Sequence, residues 1–200
     1  MEERKVMLPP PMLDGRMSVE RAMKERRSSR EYQEGSISLI ELSQLLWAAQ
    51  GVTGKSGKRT APSAGALYPL RVYVVAIDIR GLAGGVYRYG PDRHELERVV
   101  EDDIREELFD AALGQDSIEG AGAAIVIAAI FEKTRAKYGR RSDRYVFVEV
   151  GHAAQNIYLQ SVPLGLGTVM VGAFEGENVR RLCGMGREER PVAIMPIGQI

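Results

Sequence analysis

The longest apolar run, residues 121–131, constrains how this chain folds more than any other segment. It reads AGAAIVIAAIF, with the β-branched residues Ile125, Val126 and Ile127 in succession at its centre. Such residues favour strands, and the run is only about half as long as a segment that spans a bilayer. It therefore predicts a central strand over residues 123–130.

The other predicted elements are interleaved irregularly along the chain. Ser38 and Glu41 form a capping box that opens a helix, and Gly51 closes that helix. Further strands are predicted at residues 70–77, 86–89, 96–100, 168–174 and 192–197, and helices at 18–26, 104–113, 144–161 and 177–183. Because these elements do not alternate in regular βαβ units, the pattern predicts an α+β fold with a mainly antiparallel sheet. We expect a Pro-rich extended arm over residues 1–17 and a single domain over residues 18–200.

Composition argues against several classes of function. The 27 Lys and Arg residues balance 27 Asp and Glu residues, so no overall positive field favours nucleic acid. Cys183 is the only cysteine, which excludes an intrachain disulfide and a thiolate metal cluster. The N-terminal residues lack the apolar core of a signal peptide. We expect a cytoplasmic protein without a metal site, a nucleic-acid partner or a membrane partner.

The stretch RRSSREY, residues 26–32, concentrates three arginines and two serines directly after the first predicted helix. Guanidinium groups match phosphate oxygens, and hydroxyl and backbone N–H groups complete a set of donors for them. The stretch is therefore a candidate phosphate-binding segment. Taken alone, it is also typical of a solvated, charged helix end or of a kinase target of the Arg-Arg-x-Ser type.

A second stretch, TAPSAGALYP, presents almost no side chain over residues 63–66, just after Lys58 and Arg59 and just before a predicted strand. Small residues allow a planar ring to approach the backbone. A tight turn before a strand explains the same residues equally simply.

A third stretch, GHAAQNIYLQSVPLGLGTVMVG, joins the long predicted helix to a glycine-bearing strand over residues 151–172. Its glycines do not form the G-x-G-x-x-G unit of a dinucleotide-binding site. His94 and His152 have no partner at metal-ligand spacing, and the G-x-S-x-G and Walker A patterns are absent from the sequence. Hydrolase and NTPase functions therefore lack their motifs.

Taken together and in this order, the three stretches resemble the nitroreductase family of FMN-dependent oxidoreductases, and within it the SagB-type dehydrogenase branch. The resemblance covers roughly residues 20–198. It implies a nitroreductase-like α+β fold, with a mainly antiparallel central sheet flanked by helices, and a homodimer with FMN at its interface. It also implies NAD(P)H and a small-molecule acceptor as further ligands.

The resemblance assigns cofactor-binding roles to individual positions. The implied FMN contacts are Arg26, Arg27, Ser28 and Arg30 for the phosphate and ribityl chain; Pro62, Ser63, Ala64, Gly65 and Leu67 for a ring-covering loop supplied by the partner subunit; Met170, Val171 and Gly172 for the other ring edge; and Gln115 for the ribityl or pyrimidine side. Many family members complete the phosphate site with a C-terminal Lys or Arg. Here the sequence ends at Gln199 and Ile200, so we expect either that the N-terminal arginines suffice or that Arg187 or Arg190 substitutes.

The implied chemistry needs no catalytic side chain, because the flavin carries it and the protein positions it. In the expected ping-pong cycle, NAD(P)H donates hydride to flavin N5, and a nitroaromatic or quinone-like acceptor then takes it; dehydrogenation of a ring substrate is the other expected reaction. Tyr138 and Arg141 are candidates for shaping the substrate pocket. A protein that binds or degrades flavin without NAD(P)H turnover is the main alternative, followed by a nonenzymatic interaction domain.

Overall fold

The fold is built around a seven-stranded antiparallel sheet. A computed structural model describes residues 4–54 and 56–200. The strands are β1 (Lys5–Met7), β2 (Ile37–Ser38), β3 (Leu70–Ala76), β4 (Ile79–Arg80), β5 (Gly85–Gly90), β6 (Glu95–Val100), β7 (Ala123–Ala129), β8 (Leu166–Thr168) and β9 (Arg190–Gln199). The large sheet has the order β1-β6-β5-β3-β7-β9-β8, and β2 pairs with β4 in a separate parallel ribbon.

Strand β7 is the buried centre of the sheet, as the apolar run predicts. All seven of its residues are buried, and β3 and β9 pair with it on either side. Ile125 and Ile127 belong to one hydrophobic cluster, whereas Val126 belongs to a second cluster on the opposite face. The strand therefore has to be covered by other elements on both faces.

Helices provide that cover. They are α1 (Val19–Glu25), α2 (Leu39–Gln50), α3 (Arg105–Ala111), α4 (Asp116–Glu119), α5 (Phe131–Tyr138), α6 (Ser142–Leu164) and α7 (Gly176–Leu182). Apolar residues of α2 and α6, such as Leu45 and Ile157, pack in the first cluster. Leu108 of α3 and Val179 of α7 pack in the second. The predicted α+β class, an antiparallel sheet flanked by helices, is confirmed.

The capping box at the start of α2 forms as predicted. The Ser38 hydroxyl accepts from the backbone N–H of Glu41 at 3.2 Å, and the Glu41 carboxylate accepts from the backbone N–H of Ser38 at 2.7 Å. Both bonds satisfy donors that a helix start otherwise leaves without partners.

Replacing Ser38 with alanine is expected to lower the free energy of unfolding by about 1 kcal/mol, because a backbone donor loses its acceptor. Urea denaturation monitored by circular dichroism measures this difference. Ser56→Ala, in an exposed loop, is the control and should leave the midpoint unchanged. Equal midpoints for wild type and Ser38→Ala would contradict the assigned role of the cap.

The structure differs from the prediction in several regions: helices α4 and α5 and the β2–β4 ribbon were not predicted. The strand predicted over residues 168–174 is wrong: β8 ends at Thr168, and beyond it only Val171 forms an isolated bridge, with Ile194. The chain leaves the sheet there because the backbone N–H of Met170 donates to the Tyr158 hydroxyl. The N-terminal arm also contributes a strand, β1, which pairs with β6 and forms one edge of the sheet.

Candidate flavin-binding site

The arginine-rich segment lies against the edge strand β8. The backbone N–H of Ser29 donates to the carbonyl of Thr168 at 2.9 Å. Gly167 makes this approach possible: a Cβ at that position would lie 2.8 Å from the Cβ of Ser29 and 2.4 Å from Cγ2 of Ile200. The first and third stretches singled out in the sequence are therefore neighbours in the fold.

Tyr158 of α6 connects the two segments through both its hydroxyl and its ring. Its hydroxyl accepts from the backbone N–H of Met170 at 2.7 Å and lies 3.3 Å from the Ser28 hydroxyl. The Arg26 guanidinium lies 5.2 Å from the centroid of its ring, within cation–π range. Sequence reasoning placed Tyr158 in the apolar stretch of its helix and missed this role, since periodicity does not reveal what a hydroxyl will contact.

The cations of this segment have the donor chemistry of a phosphate site. Arg26, Arg27 and Arg30 form no ion pair with any residue in the described ranges, although Arg27 donates to the carbonyls of Lys24 and Arg26. The side-chain oxygen of Thr168 is buried and has no hydrogen-bond partner there either. Guanidinium groups without carboxylate partners beside a serine hydroxyl fit a phosphate, so the residues present fit the phosphate end of FMN.

The backbone beyond Thr168 borders open space. Gly172 is exposed, and a Cβ built on it meets nothing within 4 Å among the described residues. Beside it lies a cleft of about 430 Å³ whose lining includes Phe147, Phe174 and Arg190 as well as Gly172. Val171 is buried and points away into the core. This exposed backbone next to an open cleft fits the edge of a planar ring.

The small-residue loop is the most strained backbone that the sequence singled out. Gly65 has φ of 63°, but Ala66 and Tyr68 also have positive φ, at 54° and 46°. Residues other than glycine pay a conformational penalty there, and such strain clusters at binding sites. The Ser63 hydroxyl accepts from the backbone N–H of Tyr68 at 2.9 Å and holds the turn closed.

Within one chain this loop does not lie beside the arginines. A Cβ on Gly65 would meet the Tyr138 hydroxyl at 2.7 Å and Nζ of Lys137 at 2.8 Å, so the loop contacts the end of α5. It also lies near Glu149 of α6, which precedes Tyr158 by about 14 Å along the helix axis. Within the chain the second stretch therefore lies apart from the other two.

Glu149 is a buried carboxyl behind this loop that sequence reasoning missed. Only 2% of the residue is exposed, and its Oε1 has no hydrogen-bond partner among the described residues. Burial raises its pKa to about 7, while the Ser63 hydroxyl and the charge of Arg59 oppose that rise. A single glutamate inside an apolar helical face is the only sequence feature that hints at it.

Glu149→Gln should change how stability depends on pH. Because the pKa is raised from 4.5 to about 7 in the folded state, the native protein binds more protons than the unfolded chain between these values. Wild-type stability therefore falls as pH rises through this window. At pH 8 the glutamine variant should be more stable than wild type by about 1–3 kcal/mol, and the difference should shrink near pH 5.

Chemical denaturation at several pH values measures this difference. The control is Glu132→Gln, an exposed carboxylate on α5 that should leave the pH profile unchanged. A pH-independent difference between Glu149→Gln and wild type would contradict the assigned titration.

The remaining predicted positions lie in several different parts of the fold. Gln115 is half-buried at the start of α4 and makes no side-chain capping bond. Of the two C-terminal arginines, Arg187 is exposed, while Arg190 stacks 5.2 Å from the Phe131 ring centroid and lines the cleft beside Gly172. Tyr138 ends α5 and Arg141 lies in the turn before α6.

The fold and the family to which the chain belongs support a flavin-type oxidoreductase. The chain belongs to the nitroreductase family, whose sequence profile matches residues 23–199. This membership supports a flavin cofactor, typically FMN. None of the helices in the described ranges combines the length and apolar character needed to cross a membrane.

Individual relatives agree with this assignment. The chain is 45% identical over 183 residues to MJ1384 of Methanocaldococcus jannaschii, named as a candidate nitroreductase, covering 92% of this chain and 91% of that protein. The structure of a candidate nitroreductase from Ralstonia eutropha superposes with a TM-score of 0.85 at 30% identity, over 98% of this chain and 90% of that one. The microcin B17-processing protein McbC of Escherichia coli is 32% identical over 145 residues, which is 69% of this chain and 52% of that protein.

Proposed function

We propose that this protein is an FMN-dependent oxidoreductase that uses NAD(P)H to reduce a small nitroaromatic or quinone-like acceptor. The observation that carries the proposal is the cluster of Arg26, Arg27 and Arg30, which form no ion pair in the described ranges. Through Arg26 and Met170, Tyr158 links this cluster to the backbone that precedes the exposed Gly172. FMN, when bound, supplies the hydride chemistry between donor and acceptor.

The chain's own residues bind and orient the FMN. Arg26, Arg27, Ser28 and Arg30 hold the phosphate and ribityl end, because they offer charged and hydroxyl donors without competing carboxylates. The backbone at Met170, Val171 and Gly172 borders the ring, and Gln115 contacts the ribityl or pyrimidine side. No side chain acts as a nucleophile, and Tyr138 and Arg141 shape the acceptor pocket.

The ring-covering loop comes from a second copy of the chain. Its contacts with the end of α5 keep it away from the arginines of its own protomer. A homodimer that brings Pro62, Ser63, Ala64, Gly65 and Leu67 to the partner's site explains why this loop is strained and small. We place this dimer in the cytoplasm.

Absorbance spectroscopy tests the function. The purified protein is supplemented with FMN, desalted, and treated anaerobically with NADH or NADPH. Flavin absorbance that stays with the protein and bleaches with either nucleotide is the expected result, and the faster donor identifies the preferred one. A bound flavin that neither nucleotide bleaches would favour the alternative, a flavin-binding or flavin-degrading protein without NAD(P)H turnover. Failure to retain FMN would refute the proposal.

Dehydrogenation of a ring substrate is a second candidate reaction. It is favoured by the likeness to McbC and to the trifolitoxin-processing protein TfxB of Rhizobium leguminosarum, which is 31% identical over 119 residues. The first reaction reduces its substrate, whereas the second oxidises its substrate. Turnover with a nitroaromatic and NAD(P)H indicates the first, whereas oxidation of an azoline-containing peptide with oxygen as acceptor indicates the second.

A further inference from the structure

A second cationic cleft lies outside the site described above. It encloses about 370 Å³ between the end of α2, the start of β3, the turn after β5 and the first turn of α5. Arg59, Arg71, Arg88 and Lys133 line it, and Asp92 is the one carboxylate among the lining residues. Its lining therefore carries a clear excess of positive charge.

Two of these cations have no carboxylate partner in the described ranges. Arg88 pairs with Glu97 at 2.6 Å, and Arg71 lies 3.7 Å from Glu189. Arg59 instead donates to Oε1 of Gln50 at 2.8 Å and stacks 4.7 Å from the Tyr68 ring centroid. Lys133 makes no side-chain hydrogen bond or ion pair with the residues that the structure describes.

The charges are close enough to disturb one another. Burial and the neighbouring charges of Arg71 and Arg59 lower the pKa of Lys133. Burial also lowers the pKa of Arg59, and Arg71 adds to that effect while Asp92 opposes it. Like charges held together in a partly desolvated cleft repel, and a bound anion would relieve that repulsion.

Gln50 provides an independent indication of a ligand. The residue is 1% exposed and lines the cleft, yet its Nε2 has no hydrogen-bond partner within residues 4–54 and 56–200. Its Oε1 accepts a hydrogen bond from Arg59, which fixes the amide orientation and leaves the Nε2 group without an acceptor. Buried donors of this kind are normally satisfied, and an anion oxygen would satisfy this one.

We propose that this cleft binds a phosphate group. Arg59 and Lys133 supply charge, Arg59 has the fork geometry that matches phosphate oxygens, and Gln50 supplies a neutral donor. Arg59 also stacks on Tyr68, at the end of the small-residue loop, so the phosphate can be free phosphate or the 2′-phosphate of NADPH. Only the second source rests on the proposed function.

Titration of inorganic phosphate into the FMN-saturated protein tests the site, because FMN then occupies the other phosphate-binding segment. Isothermal calorimetry is run in chloride at constant ionic strength. Lys133→Ala is expected to weaken binding by about tenfold or more. Arg135→Ala, on the same helix but paired with Glu132 and Asp143, should bind as wild type does. Equal affinity of wild type and Lys133→Ala, or binding that chloride reproduces, would overturn the proposal.

The source of the phosphate is read from steady-state kinetics. If the cleft receives NADPH, Lys133→Ala should raise KM for NADPH and leave KM for NADH unchanged. If both KM values stay unchanged while inorganic phosphate binding is lost, the ligand is free phosphate or another phosphate ester. The calorimetric result stands even if neither nucleotide is oxidised, so failure of this site and failure of the proposed function remain distinguishable.

Discussion

Arg27→Ala is expected to lower FMN affinity by about ten- to a hundredfold, because a charge-assisted bond to phosphate is worth roughly 1.5–3 kcal/mol. Folding should change little. The Arg27 side chain is exposed, and in the chain it bonds only to the carbonyls of Lys24 and Arg26 among the described residues. Fluorescence titration of the apo protein with FMN measures the affinity, and thermal denaturation of the same apo protein measures the folding.

The matched control is Arg21→Ala, which removes the same charge from the same region. Arg21 is exposed on α1 and pairs with Glu25 at 2.8 Å, so it is committed to its own helix. Its loss should leave FMN affinity within about twofold of wild type, the scale of a screened surface charge. If Arg27→Ala and Arg21→Ala bind FMN alike, Arg27 is not a phosphate ligand and the arginine cluster is a solvated helix end.

Gly167→Ala is expected to destabilise the fold by about 1–3 kcal/mol and to weaken FMN binding as well. The new Cβ would lie 2.8 Å from the Cβ of Ser29, whose position the backbone determines, so the arginine segment has to move away from β8. That movement breaks the bond between Ser29 and Thr168 and displaces the phosphate donors. Chemical denaturation and FMN titration measure the two effects.

Gly172→Ala, at a nearby glycine, distinguishes an effect on protein stability from an effect on FMN affinity. The structure offers open space for its Cβ, so stability should match wild type within about 0.5 kcal/mol. If a flavin ring lies against this backbone, the methyl group should nevertheless lower FMN affinity. A Gly172→Ala protein with wild-type FMN affinity would show that the backbone at Met170–Gly172 does not contact the flavin. For the other variant, a Gly167→Ala protein as stable as wild type would contradict the close approach at Ser29.

These variants distinguish two ways in which the chain would bind a flavin. Arg27 would act by charge, whereas Gly167 would act by letting two backbone segments approach. Tyr158 belongs to the second group, because its hydroxyl and ring fix the relative positions of Met170, Ser28 and Arg26. The proposed site would therefore depend on packing between α6 and the segment after α1 as much as on the cations themselves.

Much of the fold follows from local sequence. The apolar run over residues 121–131 predicts β7, and Ser38 with Glu41 predicts the start of α2, because strand burial and helix capping depend on residues close together in the chain. The arginine segment and the small-residue loop were also identifiable, since charge clusters and missing side chains are visible in the sequence itself.

Other features depend on contacts between distant residues, and only the tertiary structure decides them. The strand predicted over residues 168–174 stops at Thr168 because the Tyr158 hydroxyl takes the N–H of Met170, a contact that no periodicity reveals. The raised pKa of Glu149 and the unpartnered Nε2 of Gln50 likewise arise from burial by elements far away in sequence. Local propensity and residue chemistry thus specify the helices and strands and indicate candidate binding residues. Tertiary packing decides which of these groups come into contact and which remain without a hydrogen-bond partner.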